Sequence, residues 1–377
     1  MPTMTNNVWS SPIVITGIGM LTSVGHNAYQ TCASVRADIV RMTDIDYFTI
    51  ENEQYEDVPV SGCPIVNVTD GYLGLGRWTR MVTWAITDLI SNSGTGIPDW
   101  ENTGFFISLP PISREGVDPK IFKMLGLRIG QWNNVKGIEN QTRVYPHGYA
   151  SPAKGFCMAA EKLHQKKICY AVVGGVDSLV EPETLNYFHE AKRLKTEDNS
   201  DGFIPGEGAA FLLLESLEQA QERKANIMAV IENASMGDDL GNAILGALNG
   251  HTDDEFSEHV KQTKLMICDL NGESDRAMTF GKAMLKAGQN IRSKTQGQNQ
   301  NNQGQKHDSE DLALGSQIWH PADCIGDTGA ASFAISACLG ARALQRKYAE
   351  SEKIMICGSS ERGMGGAILL KGYQGGR

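Results

Sequence analysis

The sequence predicts an α/β protein arranged as a five-layered α/β/α/β/α sandwich, made from two tandem copies of one unit. Two observations carry that prediction. Short β-branched runs alternate with helix-patterned segments along most of the chain, which implies parallel sheet covered by helices on both faces. The same order of elements then recurs in the second half, so the unit is duplicated.

The elements follow in order. PIVITGI, from Pro12 to Ile18, is a β-branched run that closes on Gly17 and Gly19, and LTSVGHNAYQTCASVRA carries a helical pattern after it. KLMICDLNGESDRAMTFGKAML (264–285) has the same strand, turn and amphipathic helix, with the turn at Asn271-Gly272. The endings also match. AAEKLHQKKICYAVVGGVDSL, continuing to GEGAAFLLLE, runs parallel to ACLGARALQRKYAESEKIMICGSSERGMGGAILLKG (337–372). Between the halves, SLEQAQERKANIMAVIENASMG (216–237) reads as a charged helix and one more strand. The expected boundary falls near 240, giving an N-terminal half of 1–240 and a C-terminal half of 241–377. SKTQGQNQNNQGQKHDSEDLALG (293–315) is rich in Gln, Asn and Gly and poor in apolar residues, so it is expected to be a mobile surface loop.

Composition narrows the function. With 377 residues, 41% of them hydrophobic, the chain can bury a large core. A formal charge of −10, with no cluster of Lys and Arg, argues against nucleic acid and anionic membrane as partners. No window of apolar residues is long enough to span a bilayer, and MPTMTNNVWSS lacks the cationic and apolar regions of a secretory signal, so a cytoplasmic location is expected. The eight cysteines (32, 63, 157, 169, 268, 324, 338 and 357) form no CxxC pair and mostly sit in apolar patterns. They read as reduced, buried thiols rather than a disulfide framework or a metal site.

The segment HGYASPAKGFCMAAEKLHQKKICYAVVGGVDSLV (147–180), followed by GFIPGEGAAFLLLE (202–215), carries the functional signal. It resembles the β-ketoacyl synthases of fatty-acid and polyketide synthesis, which have the thiolase fold. The resemblance implies a cysteine nucleophile at the start of the helix before the Gly174-Gly175 pair, and Tyr149 stands there, 25 residues ahead of Gly174. Ser151 and Pro152 read as the N-cap and first residue of that helix. Its N-terminal end would lower a thiol's pKa, but a phenol titrates near 10 and is a poor nucleophile. Cys157, the nearest thiol, lies two turns inside the helix and reads as core packing.

The family's two histidines have counterparts too. In place of a motif resembling HGTGT the chain has CDLNGE, which sets Asn271 before Gly272; an amide can donate a hydrogen bond to a thioester oxygen but cannot carry a proton. In place of GHxxGAAG it has CIGDTGAAS, which sets Asp327 there, a carboxylate that repels a developing enolate unless burial protonates it. Ala322 takes the position of the family's lysine. No catalytic residue is therefore expected, and Tyr149, Asn271 and Asp327 mark degenerate positions. His147, Ser151, His320, Met364 and Gly365 are expected around the residual pocket. His147 reads first as a turn histidine bonded to backbone, Met364 stands where a gating phenylalanine usually sits, and His251 lacks a strand in front of it. No metal and no cofactor is implied.

The resemblance implies a partner-binding protein. Family members dimerise through an edge strand, for which KICYAVV (167–173) is the expected counterpart, so a homodimer or a heterodimer with a paralogue is expected. CDLNGE together with QTCASVRA is similar to ketosynthase-like proteins associated with type VI secretion effector loading, which would make a secretion effector or adaptor protein the partner. A chain-length-factor-like subunit, with acyl carrier protein as partner, is the main alternative. The other is an enzyme of altered chemistry in which Tyr149 serves as general acid while Asp327 and Asn271 orient a ligand.

Overall fold

The computed structural model describes residues 12–94, 99–132, 138–301, 314–361 and 363–375. The strands are β1 (Ile13–Thr22), β2 (Thr43–Glu51), β3 (Asp57–Gly62), β4 (Thr103–Ser108), β5 (Thr142–Tyr145), β6 (Tyr170–Ser178), β7 (Glu207–Ser216), β8 (Ala229–Gly237), β9 (Leu265–Cys268), β10 (Gln317–Trp319), β11 (Lys353–Ser359) and β12 (Gly365–Gly372). The helices are α1 (Ala28–Arg36), α2 (Gly74–Asn92), α3 (Ile121–Trp132), α4 (Ile138–Gln141), α5 (Ser151–His164), α6 (Pro182–Glu190), α7 (Leu217–Glu222), α8 (Leu240–Leu248), α9 (Asp253–Gln262), α10 (Ser274–Asn301), α11 (Ala322–Ile325) and α12 (Ser332–Arg346).

Ten strands form one sheet in the order β10-β9-β11-β12-β8-β1-β7-β6-β4-β5. The order is two copies of one five-strand set, meeting where β1 and β8 pair antiparallel through Ile13 and Ile231, Val14 and Val230, and Ile15 and Ala229. In the first set β1 runs antiparallel to β7, β7 antiparallel to β6, and β6, β4 and β5 are parallel. The second set repeats those directions in β8, β12, β11, β9 and β10. The duplication expected from sequence is therefore present in the topology.

Alternation along the strands builds the layers. Leu212 and Leu214 of β7 face a central core with Phe156 of α5 and Ile335 of α12, while Leu213 between them faces Met81 of α2 and Leu125 of α3. In the other set Ile267 and Ile356 face the same central core, and Met266 and Met355 turn outward to Ile244 of α8 and Ala287 of α10. Outer helices, half-sheet, central helices, half-sheet and outer helices make the five layers. β2 and β3 form a separate hairpin that packs Ile45 and Val60 on Leu185 and Phe203.

Four expectations are corrected. β8 pairs with β12 over eight positions and so opens the second set, which moves the boundary from near 240 to before Ala229. The strand at 265–268 is accordingly the counterpart of β4, not of β1. KICYAVV does not lie at an edge: β6 is paired on one side by β4 and on the other by β7, which leaves no backbone groups for a partner, and the outermost strand of that set is β5. The segment expected as a loop from Ser293 begins as helix, because α10 continues to Asn301; Gln and Lys are good helix formers, and adding a residue to an existing helix costs little. Residues 302–313 of that segment lie outside the described residues.

The Gly-Glu-Gly turn that starts β7 is held by a buried charge. Glu207 is fully buried and accepts from Arg77 Nε at 2.6 Å and Nη2 at 2.8 Å, from the hydroxyls of Ser178 and Thr69, and from the Ile65 amide. Arg77, itself 5% exposed, also donates to the carbonyls of Thr69 and Tyr72. Taking a single charge from such a pair strands the other in a dry environment. Glu207→Ala is therefore expected to lower folding stability by about 3–5 kcal/mol, measured by urea denaturation. A loss below about 1 kcal/mol would contradict the buried-pair account.

Candidate functional site

Both central helices start in the same way. A short turn, Gly148–Ala150, runs into Ser151 of α5, and its counterpart Gly329–Ala331 runs into Ser332 of α12. Tyr149 and Ala330 are thus equivalent positions in the two repeats. The two starts are brought together where glycine permits contact that a side chain would prevent. A Cβ on Gly366 of β12 would lie 2.5 Å from Ala153 Cβ, and one on Gly175 of β6 would lie 2.3 Å from the Ala330 carbonyl oxygen. Because the turn already has helical dihedrals, Ala150 is the cap and Ser151 the first helical residue, one position earlier than the sequence suggested. The Ser151 hydroxyl instead accepts from the His147 amide at 3.0 Å.

Tyr149, Asn271 and Asp327, far apart in sequence, meet in one cluster. The Tyr149 hydroxyl donates to Asp327 Oδ2 at 2.8 Å, and Asn271 Nδ2 donates to the same oxygen at 2.6 Å. The Gly329 amide donates to Oδ1 at 2.8 Å. Asp327 is fixed through its backbone to the segment before the Gly-Glu-Gly turn: its amide donates to Ile204 and its carbonyl accepts from Gly206. Tyr149 is 5% exposed and Asp327 is 2% exposed.

Charges that the sequence reading missed complete the cluster. Arg276, in the first turn of α10, lies over the Tyr149 ring with its Cζ 3.7 Å from the ring centre. Its Nη1 donates to Asp269 Oδ2 at 2.7 Å, and the same carboxylate accepts from the Ser359 amide. Arg193 holds Glu273 with two bonds of 2.7 and 2.9 Å and reaches Glu361 at 2.5 Å. Glu273 in turn accepts from Asn271 Nδ2 at 2.9 Å. A cation in the first turn of a helix is opposed by the helix dipole, so Arg276 in ESDRAMTF was itself a sign that anions lie near.

Burial pushes the Asp327 carboxyl above its ordinary value, against the lowering effect of Arg276, Asn271, Gly329 and Tyr149. Burial, reinforced by Asp327, also pushes the Tyr149 phenol well above its usual value. Burial raises Asp269 as well, with Arg276 opposing. The phenol stays protonated and its proton points into a carboxylate inside the protein. Asn271 is fully engaged as well, since its amide nitrogen serves Asp327 and Glu273 while its oxygen accepts from the Glu273 amide. The donor expected to remain for a thioester oxygen is thus already in use.

The other expected positions divide. Met364 and Gly365 follow the loop where the Ser360 amide donates to the Met364 carbonyl, at the start of β12. His320 is not part of the Tyr149 cluster: it pairs with Asp323 at 2.6 Å and lines a separate cavity of about 280 Å³ with Arg36, Trp319 and Tyr348. It follows β10, the outermost strand of the second set. Cys157 is half-buried rather than in the core, with its thiol pushed up to about 12 by burial, and Cys169 is exposed; the other six cysteines are buried. Among the described residues no group of three or more His, Cys, Asp or Glu could hold a metal ion, and no helix is long and apolar enough to cross a membrane.

Comparison with known proteins agrees with this fold. Residues 150–220 match the family model "Beta-ketoacyl synthase, N-terminal domain". Polyketide synthase PksL of Bacillus subtilis is 32% identical over 149 residues, 37% of this chain and 3% of that protein. A 3-oxoacyl-[acyl-carrier-protein] synthase 2 of Staphylococcus aureus is 25% identical over 255 residues, 58% of this chain and 61% of that one. The chain therefore spans only a small part of some relatives. Among solved structures, the ketosynthase from module 6 of the bacillaene synthase of Bacillus subtilis superposes with a TM-score of 0.71 at 16% identity, over 97% of this chain and 72% of that one. The ishigamide ketosynthase/chain length factor superposes with a TM-score of 0.70 at 15% identity, over 96% of this chain and 99% of that one. A type II polyketide acyl-carrier protein in complex with its ketosynthase gives 0.72 at 12% identity, over 97% and 100%. The fold is the thiolase-like fold of the ketosynthases.

Tyr149→Phe removes one donor from a buried carboxylate and is expected to cost about 1–3 kcal/mol of stability. Because the Asp327 value is raised, its contribution is present in full below the ordinary carboxylate range and is withdrawn as pH rises through the raised value. The Tyr149 bond is among the influences that lower that value, so it favours the charged carboxylate, and the cost of Tyr149→Phe should be larger at pH 7 than at about pH 4. Urea denaturation at the two pH values checks this; an equal cost at both would show that the phenol only fills space.

Proposed function

We propose that this chain is a catalytically degenerate ketosynthase-like protein that acts as an accessory or adaptor through protein–protein contacts, and not by forming carbon–carbon bonds. The observation that carries the reading is the hydrogen bond from Tyr149 to Asp327 beneath Arg276. At the positions where the family resemblance expects a cysteine and two histidines, the chain has three residues that satisfy one another. A condensing step needs a thiolate and groups that stabilise an enolate. A phenol whose proton is held by a buried carboxylate offers neither.

The same bond weighs against Tyr149 as a general acid, since its proton is directed to Asp327 and not toward a ligand. The outermost strand β5 supports a partner role, because its free edge can pair with a second chain. A homodimer, or a heterodimer with an active paralogue, would use it. The similarity to a ketosynthase/chain length factor structure favours a second reading, a chain-length-factor-like subunit that works with an acyl carrier protein. Effector loading for type VI secretion is the adaptor role that the CDLNGE and QTCASVRA segments support. All of these readings fit the cytoplasmic location expected from the sequence.

Tyr149→Cys is expected to leave malonyl decarboxylation and condensation undetectable, because Asn271 and Asp327 still replace the two histidines. The check is a radiolabelled malonyl-carrier assay beside an active ketosynthase. Recovered turnover in this single variant would overturn the degenerate-site reading.

A further inference from the structure

A groove on the outer face of the first repeat lies apart from the Tyr149 cluster. It has a volume of about 560 Å³ and lies between the start of α1 and the outer face of α2, with Trp132 from the end of α3 at one side. That volume falls within the range of small-molecule sites. Trp84 and Trp132 line it and are 39% and 60% exposed. The Trp84 indole is held in place: its Nε1 donates to the His26 carbonyl at 2.8 Å and its ring meets His26 edge to face. Two aromatic surfaces left open to water call for an apolar face to cover them.

The polar lining says what the rest of the ligand presents. Thr83, Thr87 and Ser91 follow one another at four-residue spacing along α2. Thr87 and Ser91 donate their hydroxyl protons to helix carbonyls, which leaves their oxygens as acceptors. Thr83 is 8% exposed, lines the groove, and its hydroxyl has no partner among the described residues. Opposite, the side-chain oxygens of Asn27 and Gln30 are used by backbone amides, which leaves both amide nitrogens as donors. The charged groups are engaged elsewhere: Asp88 accepts from the Met20 and Ala28 amides and from Asn92, and Arg80 donates to the Val68 carbonyl and lies over the Tyr72 ring.

A ligand that fits has apolar faces for two indoles, hydroxyls that both donate and accept, and no net charge. We propose that this groove binds a neutral saccharide, with C–H faces of sugar rings on Trp84 and Trp132 and ring hydroxyls between the Asn27 and Gln30 amides and the α2 hydroxyls.

The full chain is titrated with cellotriose, maltotriose and chitotriose, followed by tryptophan fluorescence and saturation-transfer NMR. At least one sugar is expected to bind saturably, with affinity weakened about tenfold or more by Trp132→Ala, an exposed helix-end change that spares the fold. Thr87→Val, which keeps shape and removes an acceptor, should also weaken binding. The absence of saturable binding by all three sugars overturns the proposal, as does binding unchanged in Trp132→Ala. Saturable binding of a proline-rich peptide with none of the sugars would assign the groove to a protein partner instead.

Discussion

The two central helices are enclosed between the half-sheets, and the rest of the molecule follows from that constraint. α5 and α12 pack against inward residues of both repeats, so most of their residues are buried and small or apolar, while Glu161 and Arg346 near their C-terminal ends are exposed. Their starting turns meet the buried polar cluster, and those turns lie together because the repeats are related by the strand order. Whatever chemistry or recognition the centre of this fold performs has to be assembled there. Glycine at 175 and 366 lets the turns approach, and a bulkier residue at either place would separate them.

In this chain the centre is filled by its own charges. Four carboxylates, Asp269, Asp327, Glu273 and the more exposed Glu361, lie around Arg193 and Arg276, with Asn271 and Tyr149 as neutral donors between them. Isolated buried charges are very costly, whereas a network in which each group has partners is tolerated. Such a network also holds residues from β9, β11 and the α5 and α12 turns in one arrangement. Fixed charge of this kind favours a single well-defined conformation over an adaptable reaction cavity.

The sequence disclosed the architecture better than the connections. Strand and helix patterns, and the repeat of helix, strand and closing strand, were legible because each depends on local periodicity. The position of β8 was not, because an apolar strand carries no mark of which neighbour it will pair with. The same ambiguity made β6 look like an edge strand: parallel and antiparallel partners on both sides leave only a continuous apolar run in the sequence. Tyr149, Asn271 and Asp327 could be placed through motif spacing, and the structure brings them into contact. Arg276 and Arg193 were missed because an arginine's partner is set by tertiary folding. GYAS at 148–151 and GAAS at 329–332 were a local sign of the shared helix start that spacing alone could have revealed.

The pairing of β1 also sets a requirement on how the chain is made. Ile13 lies opposite Ser216 in β7 and opposite Ile231 in β8, so the first strand has no partner until more than half of the chain has been synthesised. At ordinary rates of translation that interval is on the order of 10–40 s. Every residue of β1 is buried in the folded protein, so an apolar strand with two free edges waits exposed throughout. Until the sheet closes, that strand is an apolar segment open to pairing with other chains.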